Sequence, residues 1–336
     1  MDIDGKLSPE LHDKIFRQAI ETQMLATTRP LENNEQLTAV FLGGQPGAGK
    51  GSLARQTMAE LAPEKTVQID IDKLREFHPS YQSWQSDSKT ERIAADLTQP
   101  DAGAWGRSLL ESAIEKKRNI VLDSTLGNTK GTEKQIDMLQ NAGYQIIVRV
   151  LAVQPEVSHL GVLKRFEDGK QENAPRWVPP KIEKTAFENL PKTLLAIEQK
   201  QAENHVHIQV YDRDKTKLFD NINKSEQSTK FKSGVEALSV ERQRPLNAKE
   251  LDKYAGQWDT VINSMKKRDA PTEEIADANA LATAMCSPKI PSGKVSKMDE
   301  NNALLNMPIS PSSRLLAKAV EPPSLKESGL TPLKMK

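Results

Sequence analysis

Cysteine is nearly absent, with Cys286 the only one in 336 residues. An intramolecular disulfide is thereby excluded, and a cysteine-built zinc site has no basis. A reducing compartment is expected, the cytoplasm of the producing cell or of a target cell. Aromatic residues make up 4%, too few for the stacking platform that single-stranded nucleic acid requires. Neither sign of charge is in excess. The chain has 47 Lys and Arg against 46 Asp and Glu, a net charge of +1, whereas a nucleic-acid binder carries a basic bias. No apolar run approaches the roughly 20 residues that span a bilayer. Residues 1–11 are polar and acidic, unlike a secretory signal. No fixed-period repeat is visible. No nucleic-acid or membrane partner is therefore expected. What is present is a 37% hydrophobic composition, enough for one domain of ordinary size and something more.

Short apolar runs alternate with helix-period segments. Strands are predicted at 37–44, 66–70, 119–125, 145–153 and 206–213. Helices are predicted at 8–27, 52–62, 101–117, 155–168 and 181–200, the last bent at Pro191. Thr132 with Gln135 reads as a capping box opening a further helix, and Gly143 fits the position just past its end. Each strand is nearly continuously apolar, as when helices cover both faces. The expected fold is α/β, a five-stranded parallel sheet ordered 2-3-1-4-5. Residues 225–246 are polar and charged. An amphipathic helix is predicted at 247–267, with Leu251, Tyr254, Trp258, Val261, Ile262 and Met265 on one side, and a shorter helix at 272–285. From residue 287 Pro, Ser and Lys dominate and periodicity vanishes, so that segment is expected to be disordered.

The strongest chemical signal is Gly44-Gln45-Pro46-Gly47-Ala48-Gly49-Lys50-Gly51-Ser52, placed between a strand and a helix where a phosphate loop belongs. Its glycines let several backbone N–H groups converge on one anion. The helix opening near Lys50 adds the positive end of its dipole, and Lys50 supplies a full charge for β- and γ-phosphates. Gly51 stands where a hydroxyl commonly follows the lysine, so Ser52 would meet a magnesium ion directly or through water. That Gly-Lys-Gly-hydroxyl run resembles the loops of adenylate kinases. Asp70-Ile71-Asp72 lies at the carboxyl end of the second strand, where open parallel sheets bind ligands, and alternation puts both carboxylates on the same side if the strand continues. There a carboxylate can accept a hydroxyl proton or cap the next helix. Asp123 closes the third strand, with Thr125 just after it. Arg165 and Arg176 flank a polar stretch, 166–175, that reads as a flap able to bring guanidinium groups onto phosphates. His78 is a lone histidine without nearby metal-ligand partners.

The runs FLGGQPGAGKGSL, VQIDIDKLREFHPSY, NIVLDSTLGNT, LKRFEDGKQENAPRW and VYDRDKTKLFD together resemble the zeta toxins, over residues 10–220. The resemblance implies a kinase that phosphorylates a sugar hydroxyl of UDP-N-acetylglucosamine, using ATP and Mg²⁺, with an antitoxin or immunity protein as partner. It implies that Lys50 is the phosphate-loop lysine, Asp72 the general base, and Arg165 and Arg176 the arginines on the ATP phosphates. Asp123 stands where the family commonly places a glutamate that holds the sugar, and Asp70, His78 and Thr125 are grouped with it on the substrate side. The expected division is a kinase domain at 1–224, a helical extension at 225–286 and a tail at 287–336. Two other readings stay open: a P-loop kinase of a different acceptor, and a nucleotide-binding module that hydrolyses little.

Overall fold

The structure is a computed structural model that describes residues 4–200, 205–223 and 230–286. Its centre is β1 (Thr38–Gly43), every residue of which is buried. Alternation along β1 sends Ala39 and Phe41 into one apolar cluster and Val40 and Leu42 into a second. With both faces covered by apolar clusters, Ala39 to Leu42 read as an uninterrupted apolar run. β2 (Thr66–Asp70), β3 (Asn119–Asp123), β4 (Gln145–Leu151) and β5 (His207–Tyr211) join it in the order β2-β3-β1-β4-β5, all pairs parallel. This is the expected fold class and strand order.

A sixth strand, β6 (Lys217–Asp220), extends the sheet antiparallel to β5, where the sequence reading counted five strands. Two features make the hairpin. Asp212 closes the turn by accepting from the Thr216 amide at 2.8 Å. Asp220 is drawn inward to accept from His207 at 2.8 Å and Gln209 at 2.9 Å.

The helices divide between the two faces. α1 (Pro9–Ile15) is capped by Ser8 and opens with proline. It runs through a π-helical turn, Phe16–Ile20, into α2 (Glu21–Ala26). α3 (Lys50–Glu60) follows the phosphate loop. α4 (Ile71–Leu74) and α5 (Tyr81–Ser86) are short. α6 (Ala94–Glu115) begins earlier than predicted and holds Pro100 inside. The carbonyls of Ala94 and Ala95 in that turn are taken up by the Thr98 hydroxyl and the Arg75 guanidinium. α7 (Thr129–Asn141) is capped by Asn128, whose side chain accepts from the Gly131 amide, rather than by Thr132. Asn128 holds the extended conformation of a cap, whereas Thr132 lies inside the helix with its hydroxyl bonded to the Asn128 carbonyl at 3.0 Å. Gly143 follows α7 at φ +84°, as its sequence position suggested. α8 (Pro155–Gln171) and α9 (Pro180–Gln199) complete the expected set.

Three more helices follow: α10 (Gly234–Gln243), α11 (Ala248–Lys267) and α12 (Thr272–Cys286). α10 lies in a stretch read from the sequence as merely polar. Its Ser233 cap and the buried Val235, Ala237 and Leu238 on one face make it a helix that joins the first cluster. α11 opens with a full capping box, Asn247 with Glu250. Its Tyr254, Trp258, Val261, Ile262 and Met265 enter the second cluster with Leu53 of α3 and Val157 and Leu160 of α8. The described residues therefore form one compact unit. α10–α12 thus share the two apolar clusters of the elements before them. The expected disordered tail from residue 287 lies outside the described residues. Among the described residues, no helix is long and apolar enough to cross a membrane.

Candidate nucleotide and acceptor site

The strand order brings β1 beside β3 and β3 beside β2, so the carboxyl ends of three strands open on one crevice. The phosphate loop leaves β1. Gly47 has φ +76° and Gly49 φ +95°, left-handed values that cost an ordinary residue about 1 kcal/mol or more. Gly47 is doubly constrained, since a Cβ there would stand 1.9 Å from the Ser158 carbonyl oxygen. α8 thus packs directly on the loop. Gly49 caps α3, which starts at Lys50, so the helix amino terminus faces the crevice with its opening amides outside the α-helical ladder, while the Ser52 amide turns back to the Gly49 carbonyl at 3.2 Å. The Lys50 side chain turns back over the loop, donating to the Gly44 carbonyl at 2.8 Å with its ammonium 3.9 Å from Asp123.

Asp123 ends β3 directly beside Asp70 at the end of β2. Burial raises the Asp123 carboxyl above its ordinary range, Lys50 opposes this, and the Asp70 charge adds to it. Burial likewise lowers Lys50. Asp123 opposes that shift, while the like charges of Arg165 and Arg176 deepen it. Lys50, Asp70, Asp123, Arg165 and Arg176 thus form one interacting cluster, although they come from five separate stretches of chain.

Asp70 and Asp72 do not share a strand face, because β2 ends at Asp70. The Asp70 side chain caps α4 by accepting from the Asp72 amide at 2.9 Å, the capping alternative of the sequence reading. Asp72 then sits in the first turn of α4. The helix is seated by Leu74, which is fully buried, and by Ile71 against Gly106, where a Cβ would meet Ile71 at 2.2 Å. Asp72 accepts from Arg75 Nε at 3.3 Å and pairs with Arg176. Arg75 is itself tied to Thr98 at 3.0 Å and Gln99 at 2.5 Å. A buried lattice therefore aims the Asp72 carboxylate.

The stretch read as a flap is partly helix. Arg165 lies within α8, which continues to Gln171, and only residues 172–179 are loop. Gly169 lets that loop fold back, since a Cβ there would meet the Ala174 carbonyl oxygen at 2.7 Å. Burial lowers the Arg165 guanidinium, and its Nε is buried without a partner. Arg176 is pulled down to about 10 by burial, with Asp70 opposing.

His78 has a different part from the substrate contact expected of it. It is 3% exposed, its Nε2 lies 2.9 Å from the Gly5 carbonyl oxygen and its Nδ1 accepts from the Ser80 amide. Nε2 fastens the amino-terminal arm and Nδ1 its own turn, so both nitrogens are spent. Thr125 accepts from the Gly127 amide at 3.3 Å in a loop held to α9 by Asn189 at 3.1 Å. Ser52 donates to the Gly49 carbonyl at 3.0 Å and keeps lone pairs for a cation. Among the described residues no cluster of His, Cys, Asp or Glu forms a protein-only metal cage. A nucleotide-borne magnesium ion does not need one, since it takes most ligands from phosphate and water. Ser52, Asp70 and Asp123 supply oxygens of the right kind.

Sequence reasoning passed over Arg213, which donates to the Gly47 carbonyl. It follows β5 at the carboxyl edge of the sheet, so the edge rule that singled out Asp70 could have found it. It also passed over Arg75, whose buried contacts had no signal in a surface-like helical pattern.

The sequence profile of the zeta toxin family matches residues 22–224. Toxin PezT of Streptococcus pneumoniae serotype 4 is 27% identical over 210 residues, which are 62% of this chain and 81% of that protein. Toxin zeta of Enterococcus hirae is 27% identical over 247 residues, 71% of this chain and 82% of that one. A solved structure from the PezAT chromosomal toxin–antitoxin system of S. pneumoniae superposes with a TM-score of 0.63 at 21% identity, covering 79% of this chain and 99% of that one. The chain belongs to the zeta toxin family.

Proposed function

We propose that the protein is an ATP-dependent kinase that phosphorylates a hydroxyl of a UDP-activated amino sugar of the UDP-N-acetylglucosamine type, and that it acts as a toxin. One observation carries the reading. The Lys50 ammonium is folded back over a left-handed glycine loop at a helix amino terminus, within a cluster that also holds Arg165, Arg176 and two carboxylates. Such a cradle suits a polyphosphate whose terminal group must carry extra charge in transfer.

In this scheme the loop amides and Lys50 hold the β- and γ-phosphates. The buried, unpartnered Nε of Arg165 and the Arg176 guanidinium take equatorial oxygens. An arriving phosphate competes with Asp72 for Arg176, which frees the Asp72 carboxylate for the acceptor hydroxyl. The acceptor oxygen then bonds to the γ-phosphorus as the bridging oxygen departs with ADP, and the hydroxyl proton passes to Asp72. Magnesium bound with the nucleotide supplies charge neutralisation on the phosphates, with Ser52, Asp70 and Asp123 at hand to hold it. Asp123 and Thr125 line the acceptor side. Positioning and electrostatics supply most of the rate.

An antitoxin partner is proposed on the same footing, because a solved structure of the same fold comes from a toxin–antitoxin system. The test is product mass. Purified protein with Mg-ATP and UDP-N-acetylglucosamine should yield ADP and a UDP-sugar heavier by one phosphate. ADP release with a nucleoside or polynucleotide end, and none with the UDP-sugar, would replace the acceptor class. Absence of single-turnover γ-phosphate transfer to any acceptor would refute the kinase reading.

A further inference from the structure

α10 lies beyond the stretch that the family profile matches, yet it reaches the phosphate loop. Its Arg242 is 5% exposed. One terminal nitrogen donates to Gln45 Oε1 at 2.7 Å, the other to the Phe187 carbonyl at 2.9 Å. The guanidinium stands 4.1 Å over the Phe187 ring, and its Nε is buried without a partner. Among the described residues no carboxylate pairs with it, since the neighbouring Glu241 is bonded to Arg244. The other buried arginines differ. Arg75 faces Asp72 and Arg149 faces Glu60, while Arg118, also without a carboxylate, bonds all three of its nitrogens, Nε to the Thr28 hydroxyl and the terminal pair to the Lys116 and Thr28 carbonyls. A buried charge without a counter-ion is costly, and burial holds the Arg242 guanidinium down to about 9 with nothing acidic opposing.

Gln45 is the second residue of the loop and is 1% exposed. Its Nε2 donates to the Val153 carbonyl at 2.8 Å and to Ser158 Oγ at 3.2 Å, and its own carbonyl accepts from the Ala48 amide at 3.1 Å. Arginine can only donate, so the Gln45 amide is locked in one orientation, tied to β4's exit, to α8 and to α10. A second link comes from α11. Lys253 pairs at 3.2 Å with Asp214, next to the Arg213 that donates to the Gly47 carbonyl.

We propose that Arg242 is a positioning residue of the phosphate loop, acting through Gln45, and that its uncompensated charge is offset by the polyphosphate of bound ATP. The helices beyond residue 230 are then part of the nucleotide site. This rests on the ATP reading above. It couples the two states in one direction: the unpaired charge burdens the ligand-free protein, and nucleotide relieves it.

The test is Mg-ATP affinity of the full chain by calorimetry, without acceptor, beside thermal melts with and without ATP. Arg242→Met should weaken ATP binding at least tenfold and shrink the ATP-induced rise in melting temperature. The melting temperature of the ligand-free protein should hold or rise. Arg242→Lys, which keeps the charge, should recover most of the affinity. Gln45→Ala combined with Arg242→Met should lose little more than Arg242→Met alone. Should the methionine variant fail to fold, Arg242→Gln provides a second neutral side chain, with the same loss of at least tenfold expected. Either neutral variant binding ATP within twofold of wild type overturns the proposal, as do strictly additive losses in the double variant. A wild-type chain that binds no ATP overturns the kinase reading and this inference with it, and the missing wild-type signal tells that failure apart.

Discussion

Trp258 measures how far the carboxyl-terminal helices belong to the domain. It is 2% exposed on α11, donates its indole N–H to Met285 Sδ at 3.2 Å, and shares a core with Leu53, Val157 and Leu160. Truncating a buried tryptophan to alanine costs about 3–5 kcal/mol. At about 2–4 °C per kcal/mol for a domain of this size, Trp258→Ala should melt roughly 6–20 °C below wild type. Removing everything after residue 223 is harsher. Tyr254, Trp258, Val261, Ile262 and Met265 contribute about 1.5–3 kcal/mol each by burial. Their gross total rivals the roughly 5–15 kcal/mol that holds a whole domain folded. Part of that is returned as chain entropy, but the apolar faces of α3 and α8 are left bare. Thermal melts should therefore find the chain ending at 286 close to the full chain, and the chain ending at 223 insoluble or strongly destabilised. A 223-residue chain that is soluble and melts with the full protein would refute a shared core and make α10–α12 a separate module.

Three other outcomes follow from the site and the sheet edge. Lys50→Ala should lower turnover by roughly a thousandfold, about 4 kcal/mol of transition-state stabilisation; steady-state kinetics retaining a tenth of wild-type turnover would remove Lys50 from the transfer step. Asp72→Asn should abolish transfer while ATP still binds in calorimetry. Asp70→Asn should be milder, because asparagine still caps α4; equal losses of ATP affinity in both would point to cation binding instead. Asp220 concerns stability. Burial alone would raise its carboxyl, but bonds from the Asn223 amide, Lys217, Gln209 and His207 outweigh that and hold it well below the usual range. Its contribution is therefore complete above the unfolded value of about 3.9 and fades as pH falls below it. Asp220→Asn should cost about 3–5 kcal/mol near neutrality and flatten the acid limb of a stability–pH curve below about pH 4; an unchanged acid limb would contradict the assignment.

The sequence by itself determined the strands and the phosphate loop, because each is a local property, whereas the strand order rests on pairings between distant stretches. β1 alternates between two apolar clusters, so Ala39, Val40, Phe41 and Leu42 must all be apolar, and periodicity shows that without contacts. Gly47 and Gly49 hold conformations that mainly glycine adopts, so the loop is legible as spacing. Asp70 and Asp123 at strand ends, and Lys50 at the end of the loop, were legible for the same reason. Tertiary structure decided what those side chains face. Whether Asp70 caps a helix or shares a face with Asp72 depended on where β2 stops, which the packing of Ile71 on Gly106 sets. His78 became a fastener because Gly5, distant in sequence, brings it a carbonyl. β6 formed because Asp220 finds His207 and Gln209 across the hairpin. Arg242 meets Gln45 from 197 positions away. A long-range contact of that kind leaves no period in the local sequence, so only the assembled core could place the last helices against the phosphate loop.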